Sequence, residues 1–229
     1  MALATEPYIL ALYGSRARGD CDELSDIDML SIGDERGKIN VDQTDPRLCV
    51  SHYSWSEFEA MHRYGSLFLR HLKIQARPFD FNITGLERYT KLMSTLPVYK
   101  RVSRDIESFR RALEDVRQAL EAGDTALEFE LASLATTVRH SSILGCYLAG
   151  KLEFGRYTSV STFCNITNLP SSIASEFVEL YQFRMMIERK AEAPLRDELD
   201  AYAAKWLVWS ENILEEVAGC YKRSGAWFV

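Results

Sequence analysis

Two aspartates, Asp26 and Asp28, stand two residues apart and just downstream of a glycine-bounded basic segment, Gly14-Ser15-Arg16-Ala17-Arg18-Gly19. In a strand, residues i and i+2 share a face. Ser25 to Leu30 therefore predicts a strand that sends Asp26 and Asp28 one way and Ile27 and Met29 the other, toward a core. A pair of hard oxygen ligands suits magnesium, which binds through one or two carboxylates plus phosphate oxygens and keeps part of its water shell. The phosphate oxygens would be held at the turn by backbone N–H groups and by the guanidinium groups of Arg16 and Arg18, one of which is expected to face solvent. An apolar run, Tyr8 to Tyr13, reads as the strand that leads into the turn at Gly14-Ser15.

Other readings of this stretch fail on particular residues. Gly14 and Gly19 bracket four residues as in a P-loop, but Asp20-Cys21 follow where that motif needs Lys and then Ser or Thr. The dinucleotide fingerprint G-x-G-x-x-G is absent. Arg18-Gly19-Asp20 spells a tripeptide of adhesion ligands, which is too short to carry weight. A hairpin followed by an Asp-rich loop explains the turn but leaves unexplained two carboxylates that alternate with Ile27 and Met29 in an otherwise apolar strand.

The arrangement GS-x3-G followed by SD-x-D, at the ends of two neighbouring strands, resembles the signature of the DNA polymerase β-like nucleotidyltransferases. The small bacterial members are nearest in pattern: aminoglycoside and lincosamide nucleotidyltransferases and the minimal nucleotidyltransferases. Six fixed residues at about 6% usage each match one register by chance on the order of 10⁻⁷ of the time. The resemblance covers residues 8 to 90 in detail. It implies that Gly14 and Ser15 form the triphosphate turn and that Asp26 and Asp28 hold the metal and are the catalytic residues. Arg16, Arg18 and Ser25 join Gly14 and Ser15 as candidate nucleotide-binding residues. It also implies a third carboxylate on the third strand. Here that strand reads Leu48-Cys49-Val50-Ser51-His52-Tyr53, so Cys49 takes the slot, or Ser51 if the register slips by two. A thiol of pKa about 8.5 is mostly protonated at neutral pH, so two protein carboxylates alone are expected on the metal.

The totals bound the class. With 229 residues, 47% hydrophobic and 26% charged, the chain has an ordinary globular composition. A net charge of −6 argues against a broad nucleic-acid surface. The five cysteines, Cys21, Cys49, Cys146, Cys164 and Cys220, contain no C-x-x-C pair and are odd in number, which supports neither a zinc site nor a disulfide framework. No run approaches 18 apolar residues and the start lacks a basic n-region, so the expected location is the cytoplasm, with no membrane partner.

These residues must be positioned by a fold. Strands at 8–13, 25–32, 47–53 and 79–81 are interleaved with helices, one capped by Ser54 with Glu57 as a capping box and ending near Tyr64, another from Phe68 to Ile74. Gly33 to Gly37 is a turn cluster, and Lys38 to Asp45 is either a short strand or a loop. This predicts an α+β unit, a small mixed β-sheet nucleotidyltransferase domain over residues 1–95. Beyond it, Ile106, Phe109, Leu113, Val116 and Leu120 fall at helical steps until Gly123-Asp124. A longer helix from Ala126 to Ala149 is apolar on several sides; a short one covers Ser161 to Asn165, another opens at Pro170-Ser171, and Pro194 sits at the first turn of the last. Residues 96–229 are therefore predicted as an antiparallel helical bundle. Such a bundle resembles the helical partner domain that supplies the acceptor site in aminoglycoside-type enzymes. It also resembles HEPN domains, but their Arg-then-His spacing is missing, since Arg139-His140 is followed by Leu144 where the histidine would stand.

The functional expectation is magnesium-dependent transfer of a nucleoside monophosphate from an NTP to an acceptor hydroxyl, with release of pyrophosphate. The acceptor is a small molecule, a protein or a tRNA. The alternative is a degenerate nucleotide-binding regulatory protein or an antitoxin-like partner; a second copy of the chain or a toxin are the protein partners these readings allow. Glu128, Glu130 and Glu153 are candidate acceptor-side bases. His52, His62 and His71 read as core or surface histidines, and Trp206 and Trp209 as helix core.

Overall fold

A computed structural model of the protein describes residues 6–23, 25–33, 45–123, 126–188 and 198–225. The segment 34–44 and the Pro194 helix start lie outside the described residues. Two compact units divide the chain, Met1–Lys100 and Arg101–Val229. The fold is α+β, with a small mixed four-stranded sheet and, among the described residues, nine helices.

In the first unit, β1 (Ile9–Leu12) pairs antiparallel with β2 (Ile27–Ile32), which pairs in parallel with β3 (Leu48–Tyr53). β4 (Arg77–Phe81) lies antiparallel on the other side of β1, giving the order β3-β2-β1-β4. Four helices belong to this unit: α1 (Gly14–Arg18), α2 (Trp55–Arg63), α3 (Leu67–Gln75) and α4 (Ile83–Ser94). Ser54 closes the expected capping box on α2: its hydroxyl accepts from the Glu57 N–H, while the Glu57 carboxylate accepts from the Ser54 N–H. Helix α4 was not expected from the sequence. Its signals are an N-cap, Asn82, and a buried stripe, Gly85, Tyr89 and Met93.

Burial along β2 does not alternate: Ile27 and Asp28 are half-buried, whereas Met29, Leu30, Ser31 and Ile32 are all buried, so a core lies on the expected face of Met29 and also on the face of Asp28. Asp28 shares its face with Leu30 and Ile32, which are 0% and 1% exposed and pack with Ile9, Ala11, Trp55, Phe58, Leu69, Leu72 and Tyr89. Ile27 and Met29 point to the other face. The deeper apolar residues follow Asp28 rather than alternate with it, so the carboxylate sits at the rim of the core face. A second correction concerns Asp26, which precedes the first residue of β2 rather than lying within the strand.

In the second unit, α5 (Val102–Ala122) buries one stripe, Val102, Ile106, Leu113 and Val116, and ends at Gly123 with φ 68°. Helix α6 (Leu127–Leu148) is buried on several sides and packs against α5, α7 (Thr158–Thr167), α8 (Ser171–Ile187) and α9 (Leu199–Ser224). Gly145 lets α7 approach α6 closely, because a Cβ there would overlap the Phe163 ring. Trp206 and Phe177 are fully buried in this unit.

Candidate functional site

The site is built where β1 hands over to α1 beside the start of β2. The Tyr13 N–H donates to the Asp28 carbonyl at 2.9 Å, which fixes the end of β1 against β2. The next residue, Gly14, has φ +74°, and a Cβ there would overlap the Asp28 Oδ2. Glycine is thus required twice at this position, once for its backbone conformation and once for the close approach of a carboxylate. The chain then coils into α1, and Gly19 at φ 86° ends it while its N–H donates to the Ser15 carbonyl at 2.9 Å. The expected open turn is therefore a short helix between two left-handed glycines, with Ser15 half-buried at its start.

The two arginines leave this helix in different environments. Arg16 makes one long bond, from Nη2 to the Ser25 carbonyl at 3.5 Å, and its Nε is buried with no partner among the described residues. A buried guanidinium N–H without an acceptor is costly, so this is a place where a ligand oxygen would relieve a deficit. Arg18 donates from Nε to both carboxylate oxygens of Asp20, at 3.1 and 3.0 Å, and from Nη1 to Gln75 Oε1 at 2.8 Å.

Ser25 is 2% exposed, and its hydroxyl is engaged inside the loop. It donates to Asp22 Oδ1 at 2.6 Å and accepts from the Asp22 N–H at 3.0 Å, so its evident task is to shape the approach to Asp26. The start of β2 is also tied to β3, where the Ile27 N–H donates to the Arg47 carbonyl at 2.9 Å. Arg47 in turn chelates Asp45. These hydrogen bonds, first that from the Arg47 side chain and then that from its backbone, hold the Asp45 carboxyl down at about 2. Asp26 and Asp28 are both half-buried.

The parallel register sets Cys49 directly opposite Asp28 and Ser51 opposite Leu30. Cys49 is exposed. Ser51 shares a hydrogen bond of 3.0 Å with the Tyr13 hydroxyl. Burial pushes the Tyr13 phenol up to about 12, with Asp28 and Cys49 adding to the rise, so this hydroxyl stays protonated beside the carboxylate at any physiological pH. Among the described residues, no group of three or more His, Cys, Asp or Glu side chains is arranged to hold a metal ion. Asp26 and Asp28 remain the pair with the right chemistry for a cation shared with phosphate.

Of the other residues weighed from sequence, His62 bonds to Thr95 at 3.2 Å and His52 is exposed on β3. Glu153 accepts from the Gly155 N–H and the Thr158 hydroxyl, which closes its own loop, and Glu128 and Glu130 sit in the first turn of α6. Trp206 is core, with Trp209 edge-on at 5.0 Å. His71 is the exception: with Gln75 it contacts the Arg18 assembly, a link between residues 53 and 57 positions apart that no local pattern reveals. No helix among the described residues is long and apolar enough to cross a membrane. Compared with known families and curated proteins, the chain matches no family model and no curated protein.

Proposed function

We propose that the chain is a magnesium-dependent nucleotidyltransferase of the DNA polymerase β-like class, moving a nucleoside monophosphate from an NTP to an acceptor hydroxyl. The observation that carries this reading is the seating of the Asp28 carboxylate against Gly14, with a helix of two arginines starting at that glycine. Magnesium on Asp26 and Asp28 would then adjoin phosphates held over Gly14-Ser15. The orphaned Arg16 Nε supports the same assignment, since it supplies a buried donor for an anion. When bound, magnesium would neutralise charge on the reacting phosphate and on the pyrophosphate leaving group. The chain's own residues orient the triphosphate: Gly14 keeps the backbone clear of a side chain, Ser15 offers its hydroxyl, and Arg16 and Arg18 bind phosphate oxygens as fixed cations.

In this reading the second unit is an antiparallel helical bundle. The protein works in the cytoplasm, with an NTP and a small-molecule, protein or tRNA acceptor as its partners. One observation favours a second reading. Cys49 opposes Asp28 where the enzymes of this class carry an acid, which fits a nucleotide-binding regulator or an antitoxin-like partner that has lost transfer. Incubation with each of the four labelled NTPs and magnesium, with cell extract as the acceptor source, separates the two. Pyrophosphate release with label on a new product supports the enzyme; nucleotide binding without either supports the regulator; no binding of any NTP removes both.

A further inference from the structure

The geometry points to Gln75 as a positioning residue for the candidate phosphate site: its amide oxygen, oriented by His71, holds the Arg18 guanidinium ready for the phosphate chain. This rests on the nucleotide reading above and adds to it two residues from α3.

Gln75 is the last residue of α3 and is 9% exposed, so its amide must find partners inside the protein. Its Oε1 accepts from Arg18 Nη1 at 2.8 Å and meets His71 Nε2 at 2.5 Å. An amide oxygen only accepts, so His71 Nε2 carries the proton on this contact. Two donors on one oxygen fix which way round the amide sits: the carbonyl faces the cation, and the amino group, which would repel it, is turned away. On its other edge Arg18 is held by Asp20 through Nε. The fork is thereby pinned at two of its three nitrogens, and Nη2 has no partner among the described residues.

With a side-chain exposure of 24%, Arg18 is open to solvent on part of its surface. An arginine oriented in this way loses little rotamer freedom when it takes up a phosphate. His71 is itself backed by the Tyr13 ring, edge-on at 5.7 Å, and Tyr13 leads directly into Gly14. The chain Tyr13, His71, Gln75 and Arg18 therefore ties α3 to both ends of α1. An apolar contact between α1 and α3 would stabilise the fold about as well, because a buried polar array adds little net stability. What the polar array adds is a cation aimed from a fixed base.

The test is a double-mutant cycle on the 229-residue chain, reading dissociation constants for ATP, GTP, CTP and UTP with magnesium and for their monophosphates. For the NTP that binds tightest, Gln75→Leu is expected to weaken binding about tenfold, the scale of one hydrogen bond to a charged group. Its monophosphate should lose much less, and Gln75→Leu should add nothing in an Arg18→Ala background. His71→Phe, which keeps a ring against Tyr13, should give a smaller loss in the same direction and serves if Gln75→Leu does not fold. Equal losses for mono- and triphosphate, or a loss that persists without Arg18, would make Gln75 a structural tie and overturn the proposal while leaving the nucleotide reading standing. If the unmodified chain binds none of the four, both fall together.

Discussion

At the scale of single residues, Gly14 is the position on which the account rests most heavily. It meets two demands that no other residue satisfies, a φ of +74° and contact with the Asp28 carboxylate. Gly14→Ala should cost on the order of 1–2 kcal/mol for the left-handed conformation alone. It should also displace Asp28 and abolish magnesium-dependent nucleotide binding, which chemical unfolding and a binding titration would check together; Gly19→Ala, where a Cβ meets nothing within 4 Å, should cost stability with a much smaller loss of binding. Much of this site was legible in the sequence, because Gly14, Ser15, Asp26 and Asp28 are close in the chain and their spacing is a local signal. That the face Asp28 shares with Leu30 and Ile32 is buried was not. Alternation fixes that Asp28 and Leu30 share a side, but Met29 and Leu30 are equally apolar letters, and only tertiary packing shows that both are buried, so that each face of the strand is covered. Gln75 and His71 escaped for another reason. Their role depends on α3 lying beside α1, a contact across more than fifty residues.

At the scale of elements, the connections around the sheet are pinned by side chains that serve two purposes. Asn82 is the clearest case. Its Oδ1 accepts from the Gly85 N–H at 2.8 Å, capping α4, and from the Tyr8 N–H at 3.3 Å, while its Nδ2 donates to the Glu6 carbonyl at 2.8 Å. One amide thus starts a helix and secures the strand that leads to Gly14. Asn82→Ala should destabilise the protein by about 1–2 kcal/mol, the upper part of the usual range for a lost N-cap. Hydrogen exchange should locate that loss in β1 and α4 together; exchange confined to the first turn of α4 would show that the link to β1 carries no energy. Element type was generally readable, since capping boxes and helical stripes are local. Helix α4 is harder to read in the sequence because its buried stripe begins at a glycine, Gly85, which by itself argues against a helix. That glycine is explained only by the strand beside it, where a Cβ would overlap the Tyr8 backbone.

For the molecule as a whole, stability should carry a signature of its buried phenols. Burial raises Tyr89 to about 12, as it does Tyr13. An unfolded tyrosine ionises near 10, so between these values the folded state keeps a proton that the unfolded state releases. Stability is therefore complete below about pH 10 and falls as the pH rises toward 12, by on the order of 2 kcal/mol for Tyr89. Urea unfolding followed across that range should show the fall, and Tyr89→Phe should flatten it. The two compact units divide between Lys100 and Arg101, where strands interleaved with short helices give way to longer helices. An acidic chain with a net charge of −6 has no general attraction for polyanions, so the proposed nucleotide would depend on a local arrangement such as that at Gly14 to Asp28. The most direct test is equilibrium binding of the four NTPs to the unmodified chain and to Asp26→Asn and Asp28→Asn, each with magnesium and with EDTA. At least one NTP is expected to bind only with magnesium, and either substitution should remove that binding while the thermal unfolding temperature is kept. Binding that is indifferent to magnesium, or that survives both substitutions unchanged, would contradict it.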